Sequence, residues 1–248
     1  MSFKKLAVFL LCLCILRTVI NGDSLPETQA KAVEPAPLIL INQQNTPHCL
    51  ANNLTDIVNV GKQYQPRFPE LTYPQFVYLI TAIVAHESKG NDEIVSPSGA
   101  VGAMQVMPAT AADSSSRVLG YVPDAATMQE WLRNSALNTL FGIENLVWTR
   151  DTVIGLLKQR PDLPQPPTDV LIVIVTAAHN SGPTGAVRGL TPSYIAEIRT
   201  QGYANTWPGE TKAFIQSVMG YYNDLQITAG NSPLLKAVER HPWCEQDN

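Results

Sequence analysis

The sequence predicts a mainly α-helical domain, and three observations carry that expectation. Apolar residues recur at helical spacing in one segment after another, and strand-like alternation is scarce. A composition of 45% hydrophobic and 15% charged residues in a chain of 248 supplies enough apolar material for a sizeable core. It describes one globular domain with appendages, without internal repeats or low-complexity blocks.

Taken in order, the opening MSFKKLAVFLLCLCIL sets Lys4 and Lys5 ahead of an apolar run from Leu6 to Leu16, the layout of a secretory signal. The run is short for a bilayer span, so no stable span is expected once it is cleaved; an uncleaved anchor is the other reading. Cleavage is placed after Gly22, with Ala30 and Ala32 as later alternatives, and Cys12, deep in the run behind two leucines, does not make a lipidation site. Loss of residues 1–22 removes Lys4, Lys5 and Arg17 and no acid, taking the net charge from −4 to −7. Nucleic acid is thereby excluded as a partner, because a phosphate backbone demands a basic surface.

Residues 23–47, with Pro26, Pro35, Pro37 and Pro47, read as an extended leader. The domain is expected over 48–228 and a tail over 229–248. Cys49 and Cys244 are the cysteines left after cleavage, and in an oxidising compartment they are expected to form a disulfide across the domain. Closing so long a loop is worth at most about 5 kcal/mol. Two unpaired thiols are the alternative.

Helical spacing begins at Thr55. Tyr73 to His86 is expected to be a helix opened by Pro74, with Phe76, Val77, Ile80, Ile83 and Val84 on one side and Glu87 at its far end. Further helices are expected over Ala109–Leu119, Thr127–Thr149, Thr168–His179 and Glu210–Leu225. The run VLIVIVTAAH is β-branched enough for a strand, but its length favours a buried helix. Residues 159–167, with Pro161, Pro164, Pro166 and Pro167, form a loop between helices and not a linker between domains.

The chemistry is concentrated between Ala85 and Ala111, in AHESKGNDEIVSPSGAVGAMQVMPATA. This string resembles the Glu-Ser and Gly-x-Met-Gln-x-Met-Pro-x-Thr-Ala signatures of the family 1 lytic transglycosylases, the soluble-type (SLT) relatives of goose-type lysozyme, which cut bacterial peptidoglycan. Downstream, NTLFGIENL (Asn138–Leu146) resembles the family's Asn, Gly, Leu helix. AAHNSGP (Ala177–Pro183) resembles its Ala-Tyr-Asn-Ala-Gly loop, and GETKAF (Gly209–Phe214) its Glu-Thr-Arg-x-Tyr signature. The likeness runs from about Leu71 to Leu225 and implies a lysozyme-like fold.

Breaking a glycosidic bond requires a carboxylic acid that still holds its proton near neutrality. An ordinary Glu with a pKa near 4.3 is protonated in only about one molecule in 500 at pH 7, so burial must raise it. Glu87, ending an apolar helix, meets that demand, and the resemblance makes it the sole catalytic acid. There the same Glu protonates the leaving oxygen and then deprotonates the sugar's own 6-hydroxyl, giving a 1,6-anhydro product without consuming water. Asp92 and Glu93 are accordingly expected to be solvated charges.

The resemblance assigns Ser96, Gln105, Met107, His179 and Asn180 to substrate binding, Gln105 offering donor and acceptor to acetamido groups. Ser88 and Glu210 are assigned supporting roles, and Met104 a place in the core. Gly142, costly in a helix by roughly 1 kcal/mol, is expected at a close helix crossing. The chain departs from the family at Lys89-Gly90, Ala103, His179, Lys212 and Phe214; His179 in place of Tyr introduces a group that ordinarily titrates near pH 6.5.

No metal or cofactor is expected, since His48, His86, His179 and His241 share no ligand spacing with each other or with cysteine. The expected setting is the periplasm, acting on peptidoglycan glycan strands in a specialised local role, with an envelope-spanning secretion or conjugation complex as a further partner. The competing readings are a muramidase on the same fold, in which water attacks, and a non-catalytic glycan-binding scaffold.

Overall fold

The computed structural model describes residues 50–229. The signal at 1–22, the leader at 23–47, the Cys49–Cys244 disulfide and the tail beyond 229 lie outside the described residues. Within them the protein is mainly helical. The helices are α1 (Ala51–Tyr64), α2 (Tyr73–Glu87), α3 (Pro108–Leu119), α4 (Ala125–Leu132), α5 (Ser135–Lys158), α6 (Thr168–Ser181), α7 (Pro183–Arg188), α8 (Pro192–Gln201) and α9 (Gly209–Ala229), with a 3-10 turn at Gln65–Arg67. None of them is long and apolar enough to cross a membrane. The nearest approach to a sheet is a pair of isolated bridges, Val95 to Val101 and Val101 to Val106.

Helix α2 forms because Thr72 and Gln75 make a reciprocal capping box and Pro74 presets the first turn. The sequence suggests one apolar face, yet every residue from Leu79 to Ala85 is buried. Its neighbours explain this: α1 covers one flank and α9 another. A helix wrapped in this way is apolar round its circumference. The β-branched run of α6 is likewise helical, buried from Ile172 to Ala178.

The long helix expected over Thr127–Thr149 is two helices. Asn134 takes an extended backbone and its Oδ1 accepts from Leu137 N–H at 3.1 Å, capping α5 and ending α4 two residues earlier. Apolar periodicity runs on across this break and conceals it. Helices α7 and α8 were not expected either, although Pro183 and Pro192 open them and Gly202, at φ 79°, ends α8.

Helix α5 is the spine, packing against α1, α3, α4, α6 and α7. Its buried Glu144 accepts from Arg67 Nη1 at 2.7 Å and from Arg117 Nε at 3.1 Å, joining the end of α1 and helix α3 to the spine. Both arginines leave their outer surfaces in solvent, so this is a locating contact more than a large source of stability. Gly142, also on α5, does sit at a close approach, but its neighbour is a side chain and not another helix. A Cβ there would lie 2.9 Å from Met104 Cβ, and Met104 is itself buried.

Gly142→Ala should therefore lower stability by about 1–3 kcal/mol despite the better helix propensity of Ala, because Met104 must move within a packed core. Thermal unfolding of the two proteins measures it; an unchanged or higher melting temperature would show that Met104 has room to yield.

Candidate active site

The site is built where the C-terminus of α2 meets the loop that follows it. Glu87 is the last residue of α2 and half-buried, and burial pushes its carboxyl up to about 7. Ser88, buried beside it, ties the loop back to the helix. Its Oγ donates to Ala103 C=O at 2.7 Å and accepts from Gly90 N–H at 3.0 Å. Ser88 thus ties Gly90 and Ala103 to the end of α2.

The loop from Ile94 to Val106 folds back on itself. Val101 and Val106 exchange backbone hydrogen bonds at 3.1 and 3.0 Å, and Gly102 N–H donates to Ile94 C=O at 3.0 Å. Gly102 is required twice over, since its φ is 78° and a Cβ would lie 2.8 Å from Asn138 Cγ. Asn138, fully buried in α5, holds the turn from beneath. Its Nδ2 donates to Val101 C=O at 2.8 Å and Leu132 C=O at 2.9 Å, and its Oδ1 accepts from Met104 N–H at 2.8 Å.

Gln105 stands at this turn with φ 45°, a left-handed conformation uncommon for a side-chain-bearing residue. Its Nε2 donates to Gly102 C=O at 2.9 Å and Ile94 C=O at 3.3 Å. The donor end of the amide is thereby committed to the loop, and Oε1 is the end that remains for a ligand. Met107 is 40% exposed at the cap of α3, whereas Met104 belongs to the core as expected. Ser96 Oγ accepts from Ala100 N–H at 2.9 Å and pairs with Ser98, so it is occupied within its own turn.

The end of α6 and the start of α9 meet the end of α2 through aromatic contacts. Phe214 of α9 lies between two imidazoles: edge-on to His86 with ring centres 4.9 Å apart, and tilted against His179 at 6.3 Å. Burial lowers the pKa of both histidines, and takes His179 down to about 4. His179 therefore stays neutral across the working range and does not bring a titration near pH 6.5. Its Nδ1 is buried without a hydrogen-bond partner. Near pH 7 the site thus combines a carboxyl that is about half protonated with the neutral imidazole of His179.

Asn180 is exposed at the end of α6, and its Oδ1 accepts from Thr211 Oγ1 at 2.9 Å. Glu210, the supporting residue expected from this segment, is itself exposed; the adjacent Thr211 makes the contact. Thr211, within the GETKAF segment, and His86 were given no site role from the sequence, because their contacts with Asn180 and Phe214 join residues far apart in the chain.

Asp92 departs from the expectation of a solvated charge. It is half-buried, accepts from Asn53 Nδ2 at 2.8 Å, and burial, with the charges of Asp56 and Glu93, raises its pKa. Glu93 is exposed as expected and faces Arg133 at 3.5 Å. Both carboxylates next along the chain from Glu87 are thus engaged in contacts of their own. No group of metal-ligating side chains occurs among the described residues.

The family model described as the transglycosylase SLT domain matches residues 69–189. That stretch spans α2 to α7 and includes Glu87, the loop, Asn138 and the His179-Asn180 pair; α9 lies beyond it. No curated protein matches the chain.

Two stability measurements test this geometry. Because the folded pKa of Glu87 is raised, its protonated form favours folding at low pH, and that contribution is lost as pH rises from about 4.5 through about 7. Glu87→Gln should leave stability unchanged at pH 4 and raise it at pH 8 by about 3 kcal/mol, at about 1.4 kcal/mol per pH unit of displacement. Equal melting shifts at both pH values would show that the carboxyl is not penalised by burial. Lys89, at φ 52°, occupies a left-handed position that Gly adopts freely, so Lys89→Gly should stabilise by about 1 kcal/mol in the same assay.

Proposed function

Residues 69–189 belong to the transglycosylase SLT domain family, and we propose that the protein is a peptidoglycan lytic transglycosylase acting through Glu87 alone. At the family level the match supports transglycosylase-type action on peptidoglycan. The finer reading is that the β-1,4 bond between N-acetylmuramic acid and N-acetylglucosamine is cleaved with formation of a 1,6-anhydro end.

The observation that carries this reading is the burial of Glu87, which raises its carboxyl to about 7 and keeps it protonated where an ordinary glutamate would have ionised. In the first step the Glu87 proton passes to the glycosidic oxygen as the bond from the muramic C1 to that oxygen breaks. The N-acetyl group of the same sugar supports the charge that develops at C1. In the second step the 6-hydroxyl oxygen forms the new bond to C1, and its proton returns to the Glu87 carboxylate. Acid and base are the same group, the proton balance closes, and no water is consumed.

A hydrolytic or two-carboxylate scheme asks for a second carboxylate facing the first. Asp92 and Glu93, the nearest in sequence, are occupied by Asn53 and Arg133, which favours the single-acid route. Because its substrate lies outside the cytoplasm, the proposal also places the protein in the cell envelope, consistent with export by the N-terminal segment.

Incubation of the protein and its Glu87→Gln variant with purified peptidoglycan sacculi, followed by mass spectrometry of the released muropeptides, tests the assignment. Anhydro products are expected from the wild type, and their rate should fall by about a hundredfold or more in the variant. Hydrated reducing ends in place of anhydro ends would make the enzyme a muramidase, and the absence of any product would leave a glycan-binding protein. The rate should also decline as pH rises through about 7 while Glu87 loses its proton; His179, neutral down to about 4, adds no transition near 6.5. A profile flat from pH 5 to 9 would remove Glu87 from the acid role.

A further inference from the structure

We propose that Thr211 is a positioning residue that turns the amide of Asn180 so that it meets the glycan as a hydrogen-bond donor, selecting the carbonyl oxygen of an N-acetyl group at that point of the site. The inference rests on the reading that this site takes peptidoglycan, and it adds a specificity determinant from outside the stretch that the SLT domain model matches.

An asparagine amide has an acceptor end and a donor end, and rotation by half a turn exchanges them. On an exposed residue such as Asn180 nothing intrinsic decides between the two. The Thr211 hydroxyl does decide, because it donates to Asn180 Oδ1 at 2.9 Å and is itself only 2% exposed. A buried hydroxyl has few ways to satisfy its proton, so the acceptor end of the amide is drawn towards α9. The Nδ2 end then remains for a ligand, and it recognises only acceptors.

Thr211 and Phe214 are three residues apart on α9 and share a face of that helix. The same face therefore sets the ring between His86 and His179 and the amide next to His179. Glycan of this class carries an acetamido group on each sugar, whose carbonyl is its strongest neutral acceptor. A fixed donor beside a neutral imidazole suits that group and disfavours a hydroxyl that must itself donate.

The test compares the full chain with Thr211→Val, which keeps the shape and removes the hydroxyl, and Thr211→Ser, which keeps the hydroxyl. The probe is the β-1,4-linked tetramer of N-acetylglucosamine, with binding followed by calorimetry and by the Asn180 side-chain amide signals in NMR. The Val variant should bind the tetramer about fivefold more weakly, the share of one hydrogen bond, and on sacculi KM should rise with kcat little changed. The Ser variant should restore binding. In the wild type the Asn180 amide signals should shift on titration, and in the Val variant they should not.

Equal binding by wild type and Val variant would overturn the proposal. So would loss in both variants together with a lowered melting temperature, which would mark Thr211 as a packing residue. A wild type that does not bind the tetramer would overturn it as well. A wild type that binds with these amide shifts yet releases no muropeptides would defeat the transglycosylase reading and leave the Thr211 assignment standing.

Discussion

The amide of Asn138 is the contact on which the rest of this site depends. It is fully buried, and all of its capacity facing the loop is used: two carbonyls accept from Nδ2 and one backbone N–H donates to Oδ1. A buried amide left half-satisfied costs on the order of 1–3 kcal/mol for each unmet group, so the loop has little choice of shape. The same amide accounts for Gly102, where a side chain would collide with it, and for the split between α4 and α5, since the Leu132 carbonyl it holds lies at the end of α4. Once the loop is fixed, Met104 fills the space above Gly142 and Ala103 presents its carbonyl to Ser88. The loop after Glu87 therefore takes its shape from an asparagine three helices further on.

Electrostatics follow from that packing. Helix α2 is buried round its circumference, so a carboxyl at its end emerges into surroundings that solvate charge poorly, and Glu87 is pushed up for that reason alone. The same poverty of solvent pulls His86 and His179 down, since for a base it is the charged form that suffers. Phe214 between them adds apolar surface where the family more often has a hydroxyl-bearing ring. One physical cause, exclusion of water by α2, α6 and α9, both raises the acid and keeps His179 neutral, while the exposed His86 is lowered in the same direction.

How much of this was legible in the sequence varied with the kind of signal. Helices α2 and α3 could be read because apolar period and helix-opening prolines agree, and α6 and α9 from apolar residues alone. The break at Arg133 and Asn134 could not, because periodicity continues through it and only the capping amide of Asn134 gives it away. Glu87 was legible from its place after an apolar run, and the loop from its glycines. The contacts of α9 were not: the bond from Thr211 to Asn180 spans 31 residues and joins two side chains of ordinary type. Asp92 misled for a similar reason, since nothing near it announces that Asn53 will cover it. Local chemistry is written in local sequence, and the partner of a polar side chain is a product of packing.

A further regularity marks this region independently of any motif. The features that cost folding energy gather along one short path: the buried acid at 87, the left-handed backbone at Lys89 and Gln105, and the unpartnered nitrogen of His179. Each is of the kind worth on the order of 1–3 kcal/mol, and a chain selected for stability alone would shed them by single substitutions. Elsewhere helices are capped, prolines sit at first turns and the buried Glu144 is joined to two arginines, although Asn53 Oδ1 and Thr139 Oγ1 are also buried without a partner. A buried acid followed within two residues by left-handed backbone is the pattern expected of a site kept for its chemistry. Here it points to the helix end carrying Glu87, the same place that the resemblance and the proton-transfer argument reach by separate routes.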